Sequence, residues 1–173
     1  MRIVKILIIC AILAGCNSPK IAYDYDQNTN FSKYSTYALF PEFNTGLSQL
    51  DEQRLIRALD NAMPQKDFAT ADNPGIYVNA YTEKYQQESN NSLGLGVGSG
   101  GGGVGVGVSG GIPLGSSKTF LRLTLDFIDK NRDSLVWQAI IDIKFNPNAS
   151  PEDRQALFDK VVQKALEGYP PKK

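Results

Sequence analysis

The sequence predicts an α+β domain: an antiparallel sheet of about five strands, two helices on one face, and a glycine-rich hairpin or flap. Three observations carry this reading. Two segments have the polar caps and apolar stripes of surface helices. Several others alternate at the strand period, and short polar turns between them favour antiparallel neighbours.

Ile21 to Tyr25 and Tyr34 to Phe40 are rich in Tyr, Thr and Phe and read as strands, parted by the polar turn Asp26-Gln27-Asn28-Thr29-Asn30. Pro41 closes the second. A helix follows, with Ser48 as its cap and Asp51 three residues on. Leu55, Ile56, Leu59, Ala62 and Met63 recur on one helical face, and Pro64 stops it. Ile76 to Tyr85 alternates, with Ile76, Val78 and Ala80 pointing one way and Tyr77, Tyr81 and Tyr85 the other. Composition then changes: Gly94 to Gly115 holds twelve of the chain's sixteen glycines. Val104, Val106 and Val108 alternate with glycine there, a strand pattern with one apolar and one bare face. Leu121, Leu123, Leu125 and Phe127 form the inward face of the next strand. After a polar turn over Asp129 to Asp133, the return strand sets Trp137, Ala139, Ile141, Ile143 and Phe145 on one face. Ser150-Pro151-Glu152-Asp153 starts the last helix with a cap, a proline at its first position and acids in its first turn. Phe158, Val161, Ala165 and Leu166 supply its buried stripe, and Gly168 and Pro170 end it.

Ahead of this domain stands a segment of another kind. Arg2 and Lys5 precede an apolar run from Ile6 to Ala14, too short for a membrane span, which closes Leu13-Ala14-Gly15-Cys16. That ending resembles the lipobox of bacterial lipoproteins, in which the cysteine is acylated and the preceding peptide removed. The expected organisation is a signal peptide over 1–15, a lipidated Cys16 with a tether over 16–22, and a single domain over 23–171 with its insertion at 94–115. Asn17 follows the cysteine where an Asp would signal retention at the inner membrane in enteric-type sorting. That points to the outer membrane, with the domain facing the periplasm. The first of the acyl chains anchors only marginally, whereas several together hold durably.

Composition narrows the chemistry. With Arg2 and Lys5 removed, the eighteen Lys and Arg become sixteen against eighteen Asp and Glu, a net charge of −2. Such a chain has no electrostatic footprint for nucleic acid. Histidine is absent, and of the two cysteines Cys10 leaves with the signal and Cys16 carries lipid. Zinc and copper sites, and most acid–base or triad catalysis, lose their usual residues. No metal, cofactor or catalytic residue is assigned, and the protein reads as a non-enzyme.

Asp24-Tyr25-Asp26 followed by Asn30-Phe31-Ser32-Lys33-Tyr34-Ser35-Thr36-Tyr37-Ala38, Leu123-Thr124-Leu125-Asp126-Phe127-Ile128-Asp129 followed by Leu135-Val136-Trp137-Gln138-Ala139, and a final Tyr169-Pro170-Pro171 occur together. In this combination the chain resembles the bacterial lipoprotein family that carries domain of unknown function 4136, over essentially the whole mature length. The resemblance implies the location and the architecture; that family has no assigned activity. Its members often carry a basic residue and a glycine after the tryptophan, where this chain has Gln138 and Ala139.

Four features remain as candidates. Asp24 and Asp26, with Asp126 or Asp142, have the chemistry of a calcium or acid–base site, but strand-end acids more often cap turns. Trp137 alternates in phase with inward residues and belongs to the core. Gly98 to Gly103 has phosphate-loop spacings but neither a following Gly-Lys-Ser/Thr nor a strand-to-helix setting. The tyrosine stripe Tyr77, Tyr81, Tyr85 and the valines Val104, Val106 and Val108 are the partner-binding candidates, on a sheet face that is either bare or covered by the glycine tract. The expected function is a lipid-anchored binding or accessory module with the membrane, and an envelope protein, as partners. The alternative is an auxiliary subunit of a lipid-transport or efflux assembly.

Overall fold

In the computed structural model, which describes residues 20–87, 92–93, 112–113 and 118–172, strands and helices follow in the order β1 (Lys20–Tyr25), β2 (Thr36–Leu39), α1 (Gln49–Ala62), β3 (Ala69–Thr70), β4 (Ile76–Gln87), β5 (Ser92–Leu93), β6 (Ile112–Pro113), β7 (Lys118–Asp129), β8 (Ser134–Lys144) and α2 (Pro151–Leu166). The main sheet has six strands in the order β1-β8-β7-β4-β2-β3. Its long strands pair antiparallel, whereas β2 runs parallel to both β4 and β3. The α+β class is as the sequence predicts, with one strand more than expected. The pairing of β1 is not: it lies against β8, on the other side of the β7–β4 pair from β2. A short link in sequence favours pairing but does not compel it. Here β1 completes the outer edge of β8, and the 26–35 connection crosses the end of the β7–β8 hairpin instead.

β5 and β6 pair antiparallel through Ser92–Pro113 and Leu93–Ile112, joining the two flanks of the glycine-rich insertion as a hairpin would. The rest of that insertion, with Val104, Val106 and Val108, lies outside the described residues, as do the expected signal peptide and Cys16. The expected strand Ile21 to Tyr25 is present as β1, which begins one residue earlier at Lys20, so the tether expected over 16–22 overlaps its first half.

Both helices start where their caps predict. Ser48 Oγ accepts the Asp51 N–H at 3.3 Å, and Ser150 Oγ accepts the Asp153 N–H at 3.1 Å. Pro64 sits in a 3₁₀ turn over Met63–Lys66 that finishes α1, with Asp67 in the left-handed region at φ 62°. The two helices pack on each other, pinned at their N-terminal ends by a buried Asp51 that takes guanidinium groups from both Arg54 and Arg154. Leu55, Ala58 and Leu59 of α1 and Phe158, Val161, Val162 and Ala165 of α2 close over the inward residues of the sheet in one core.

At the heart of that core is an aromatic cluster. Trp137 is fully buried, its ring 4.8 Å from Phe127 and 5.6 Å from Tyr169 between centroids. Tyr169, from the tail after α2, also meets Phe31, Phe68 and Phe127. Gly168 makes this possible, because a Cβ there would penetrate the Tyr23 ring, whose hydroxyl donates to the Lys164 carbonyl at 2.9 Å. A bulge in β8 between the Trp137 and Leu135 pairs leaves both Val136 and Trp137 buried.

Trp137→Ala is expected to cost about 3–5 kcal/mol, the range for truncating a fully buried aromatic, measured by chemical denaturation. Tyr169 gives the contrasting outcome. Its buried hydroxyl has no hydrogen-bond partner among the described residues. Tyr169→Phe keeps the ring and removes a desolvated polar group, so stability should stay level or rise by about 1 kcal/mol in the same assay.

Candidate functional site

Alternation along β4 decides what the helix-free face of the sheet carries. Ile76, Val78 and Ala80 turn under the helices and are fully buried, so Tyr77, Tyr81 and Tyr85 must occupy the opposite face. The structure does not gather the three rings into one patch. Each lies in its own cross-strand row: Tyr77 opposite Ile128, Tyr81 opposite Thr124 and Tyr85 opposite Phe120. Polar rows separate them, Asn79 with Asp126 and Glu83 with Arg122. Tyr77 is half-buried edge-on against Phe40, whereas Tyr81 is 43% exposed and Tyr85 37%.

The four carboxylates weighed as an active site are also kept apart. Asp26 accepts the Thr29 hydroxyl at 2.7 Å, and this bond, with the Asn28 N–H and the nearby Arg132, holds its carboxyl below the usual range. Asp142 takes the Arg122 fork at 2.9 and 3.1 Å, which lowers it likewise. Asp24 accepts the N–H of its neighbour Tyr25. Asp126 is raised by burial, which outweighs the bond from the Gln138 amide at 2.8 Å. Gln138 therefore serves as a donor to that carboxyl.

The most heavily bonded polar residue was not a candidate from the sequence. Asp129, at the end of β7, is 2% exposed. Its carboxylate accepts the Tyr34 hydroxyl at 2.6 Å, Lys33 Nζ at 2.9 Å, Arg132 Nε at 3.0 Å and the backbone N–H groups of Asn131 and Arg132. Arg132 also donates to Thr29 Oγ1 at 3.0 Å. Burial alone would raise the Asp129 carboxyl, but the bonds from Tyr34, Lys33 and Arg132 win and hold it below the ordinary carboxylate range. Tyr34 is raised by burial and by this bond to Asp129. Every acceptor position is occupied, so the cluster is a structural node that ties the 26–35 connection to the β7–β8 turn. The only sequence signal was that Asp26, Lys33, Tyr34 and Asp129 all fall in the recurring segments.

At the opposite end of the sheet the arrangement is open. A cavity of about 700 Å³ lies where β8 runs on past the start of β1, since Lys20 pairs with Asp142 and leaves Ile143 and Lys144 without a neighbour on that edge among the described residues. Its walls are amphipathic. Tyr85 stacks on Phe120 with centroids 5.5 Å apart and planes 16° apart, Leu157 and Val161 come from α2, and Lys20, Lys144 and Lys160 supply three ammonium groups. None of these lysines forms an ion pair among the described residues. The one carboxylate in the lining among the described residues, Asp142, is already engaged by Arg122. Of the sequence candidates among the described residues, this cavity uses Tyr85 and Asp142; the lysines were invisible as a group because they come from three distant elements.

A model of the family described as domain of unknown function (DUF4136) matches residues 21–171. The chain belongs to the DUF4136 family. No curated protein matches it by sequence. Among solved structures, this DUF4136 chain is similar to a PDZ domain protein from Parabacteroides distasonis, at 13% identity and a TM-score of 0.56, over 88% of this chain and 36% of that one. It thus spans about a third of that protein's length, and at such identity the likeness concerns the fold alone. More distant are a PelC dodecamer from Paraburkholderia phytofirmans (10% identity, TM-score 0.49, 90% of this chain and 100% of that one) and a minor lipoprotein from Acinetobacter baumannii (11%, 0.35, 79% and 92%). Neither of these two bears on the function of the DUF4136 chain.

The node predicts a pH dependence. Asp129 has a lowered folded value, so its contribution is full above the ordinary carboxylate range and fades as pH falls through and below it. Asp129→Asn should cost roughly 2–3 kcal/mol near neutrality, because two of its charged donors are themselves half-exposed. The gap in melting temperature between wild type and variant should narrow as the medium is acidified from pH ~7 to ~3.

Proposed function

We propose that this DUF4136 protein is a lipid-anchored envelope protein, held through an acylated Cys16 at the periplasmic face of the outer membrane, and that it acts by binding rather than by catalysis. The observation that carries the reading is the short distance between anchor and fold. Leu13-Ala14-Gly15-Cys16 is followed by only three residues before β1 begins at Lys20. Four residue steps span at most roughly 14 Å, so a domain anchored at Cys16 stands directly on the leaflet.

The geometry supports binding in two ways. The buried polar groups of the Asp129 and Asp51 clusters are consumed by internal bonds, which leaves them little to offer a substrate. The end-of-sheet cavity, by contrast, offers partly apolar walls and three lysines without an ion pair among the described residues. No described helix is long and apolar enough to cross a membrane, so attachment in this reading rests on the lipid.

Cys16→Ser tests the anchor. The variant should lose incorporation of labelled palmitate and cease to sediment with outer membranes, while the melting temperature of the domain is unchanged. A variant that still takes up palmitate and still sediments with that fraction overturns the reading, and sedimentation of the wild type with inner membranes corrects the location.

A further inference from the structure

We propose that the cavity at the Lys20 end of the sheet receives the headgroup of an anionic phospholipid from the leaflet in which the protein is anchored. The inference rests on the Cys16 anchor for its geometry and on the cavity for its chemistry. Lys20 is both a wall of the cavity and the first residue after the tether, so the opening lies within roughly 14 Å of the acylated cysteine. No other described cavity or cluster is tied to the anchor in this way.

The chemistry of the walls selects the class of ligand. Lysines from β1, β8 and α2 line a space whose one carboxylate among the described residues is held by Arg122, so an entering anion meets net positive charge. Lysine is a compact cation that suits phosphate, and near an anionic leaflet each one gains about 1 kcal/mol, or about fivefold in affinity. A free phosphate would leave most of the 700 Å³ empty and would not use the half-buried Leu157 and Phe120. A glycerophosphate headgroup with the first carbons of its acyl chains fills polar and apolar walls together, within the usual size of a small-ligand site. Among the described residues these lysines form no ion pair, so salt bridges within the fold do not account for their positions.

The experiment uses the full lipoprotein purified from membranes in non-ionic detergent, titrated calorimetrically with short-chain phosphatidylglycerol, short-chain phosphatidylcholine and inorganic phosphate. Phosphatidylglycerol should bind at least about tenfold more tightly than either of the others. Lys20→Gln, Lys144→Gln and Lys160→Gln should each weaken it about fivefold, with melting temperature and phosphatidylcholine binding unchanged. Equal binding of the two lipids overturns the proposal, as does phosphate that binds as tightly as phosphatidylglycerol. So does phosphatidylglycerol binding that survives all three substitutions. If a variant fails to fold, the lipid preference of the wild type decides. Palmitate labelling of the same preparations separates the two readings. A labelled protein without lipid preference refutes the cavity alone, and an unlabelled protein that prefers phosphatidylglycerol refutes the anchor alone.

Discussion

Across β7 and β8, Leu121, Leu123, Leu125 and Phe127 stand opposite Ile143, Ile141, Ala139 and Trp137, and all eight are nearly excluded from solvent. Strand side chains alternate, so sliding either strand by one residue would expose one set and drive Arg122, Asp126, Asp142 and Lys144 under the helices. Each large aliphatic side chain is worth about 1.5–3 kcal/mol buried, and each unpaired charge buried costs more. The register is therefore fixed, and the rest of the sheet inherits its two faces from it. Tyr77, Tyr81 and Tyr85 are outward because β4 pairs with β7 from Ile76–Asp129 to Gln87–Lys118 without a shift.

The same fixed pair creates the difficulty that Asp129 solves. β1 must reach β8 and β2 must reach β4, so the chain between them crosses the ends of three strands, about 19 Å at the usual spacing. A connection that packs against a hairpin end needs partners for its polar groups. Asp129 supplies them from inside the turn, binding Lys33 and Tyr34 of the connection and sharing Arg132 with Thr29. The backbone bond from Asp26 N–H to the Val136 carbonyl, at 3.0 Å, starts the crossing at the bulge itself. One carboxylate thus fixes a long-range feature of topology that no local propensity encodes.

That division explains what could be read from the chain. Helix caps at Ser48 and Ser150, the inward phase of Trp137 and the extents of β4, β7 and β8 depend on neighbours within a few residues, and the sequence displays them. The partner of β1 depends on competition between strands more than a hundred residues apart, and adjacency misled. The tyrosine stripe lies on the face the sequence indicates, with Asn79 and Glu83 of the same strand standing between the rings. Asp129 looked like an ordinary turn residue, since its donors Lys33 and Tyr34 lie 96 and 95 positions away. Lys20, Lys144 and Lys160 carried no local pattern at all.

The two ends of the sheet consequently differ in kind. At the Asp129 end, charge is buried and must be matched, and Lys33 and Arg132 are committed to that task. At the Lys20 end, lysines remain in water, where an unpaired ammonium costs nothing and an added partner would contribute little to stability. Folding therefore leaves this end free to be shaped by other demands. It is also where the chain departs twice: Lys20 leads back toward Cys16, and Gln87 with Lys118, the last pair of the β4–β7 ladder, opens the glycine-rich insertion. Under the proposed anchor, the cavity and the start of β1 lie at the end of the sheet nearer the leaflet, and the Asp129 cluster at the other. A single antiparallel ladder, by fixing which strand ends lie together, separates an end closed by buried charge from one left open to solvent.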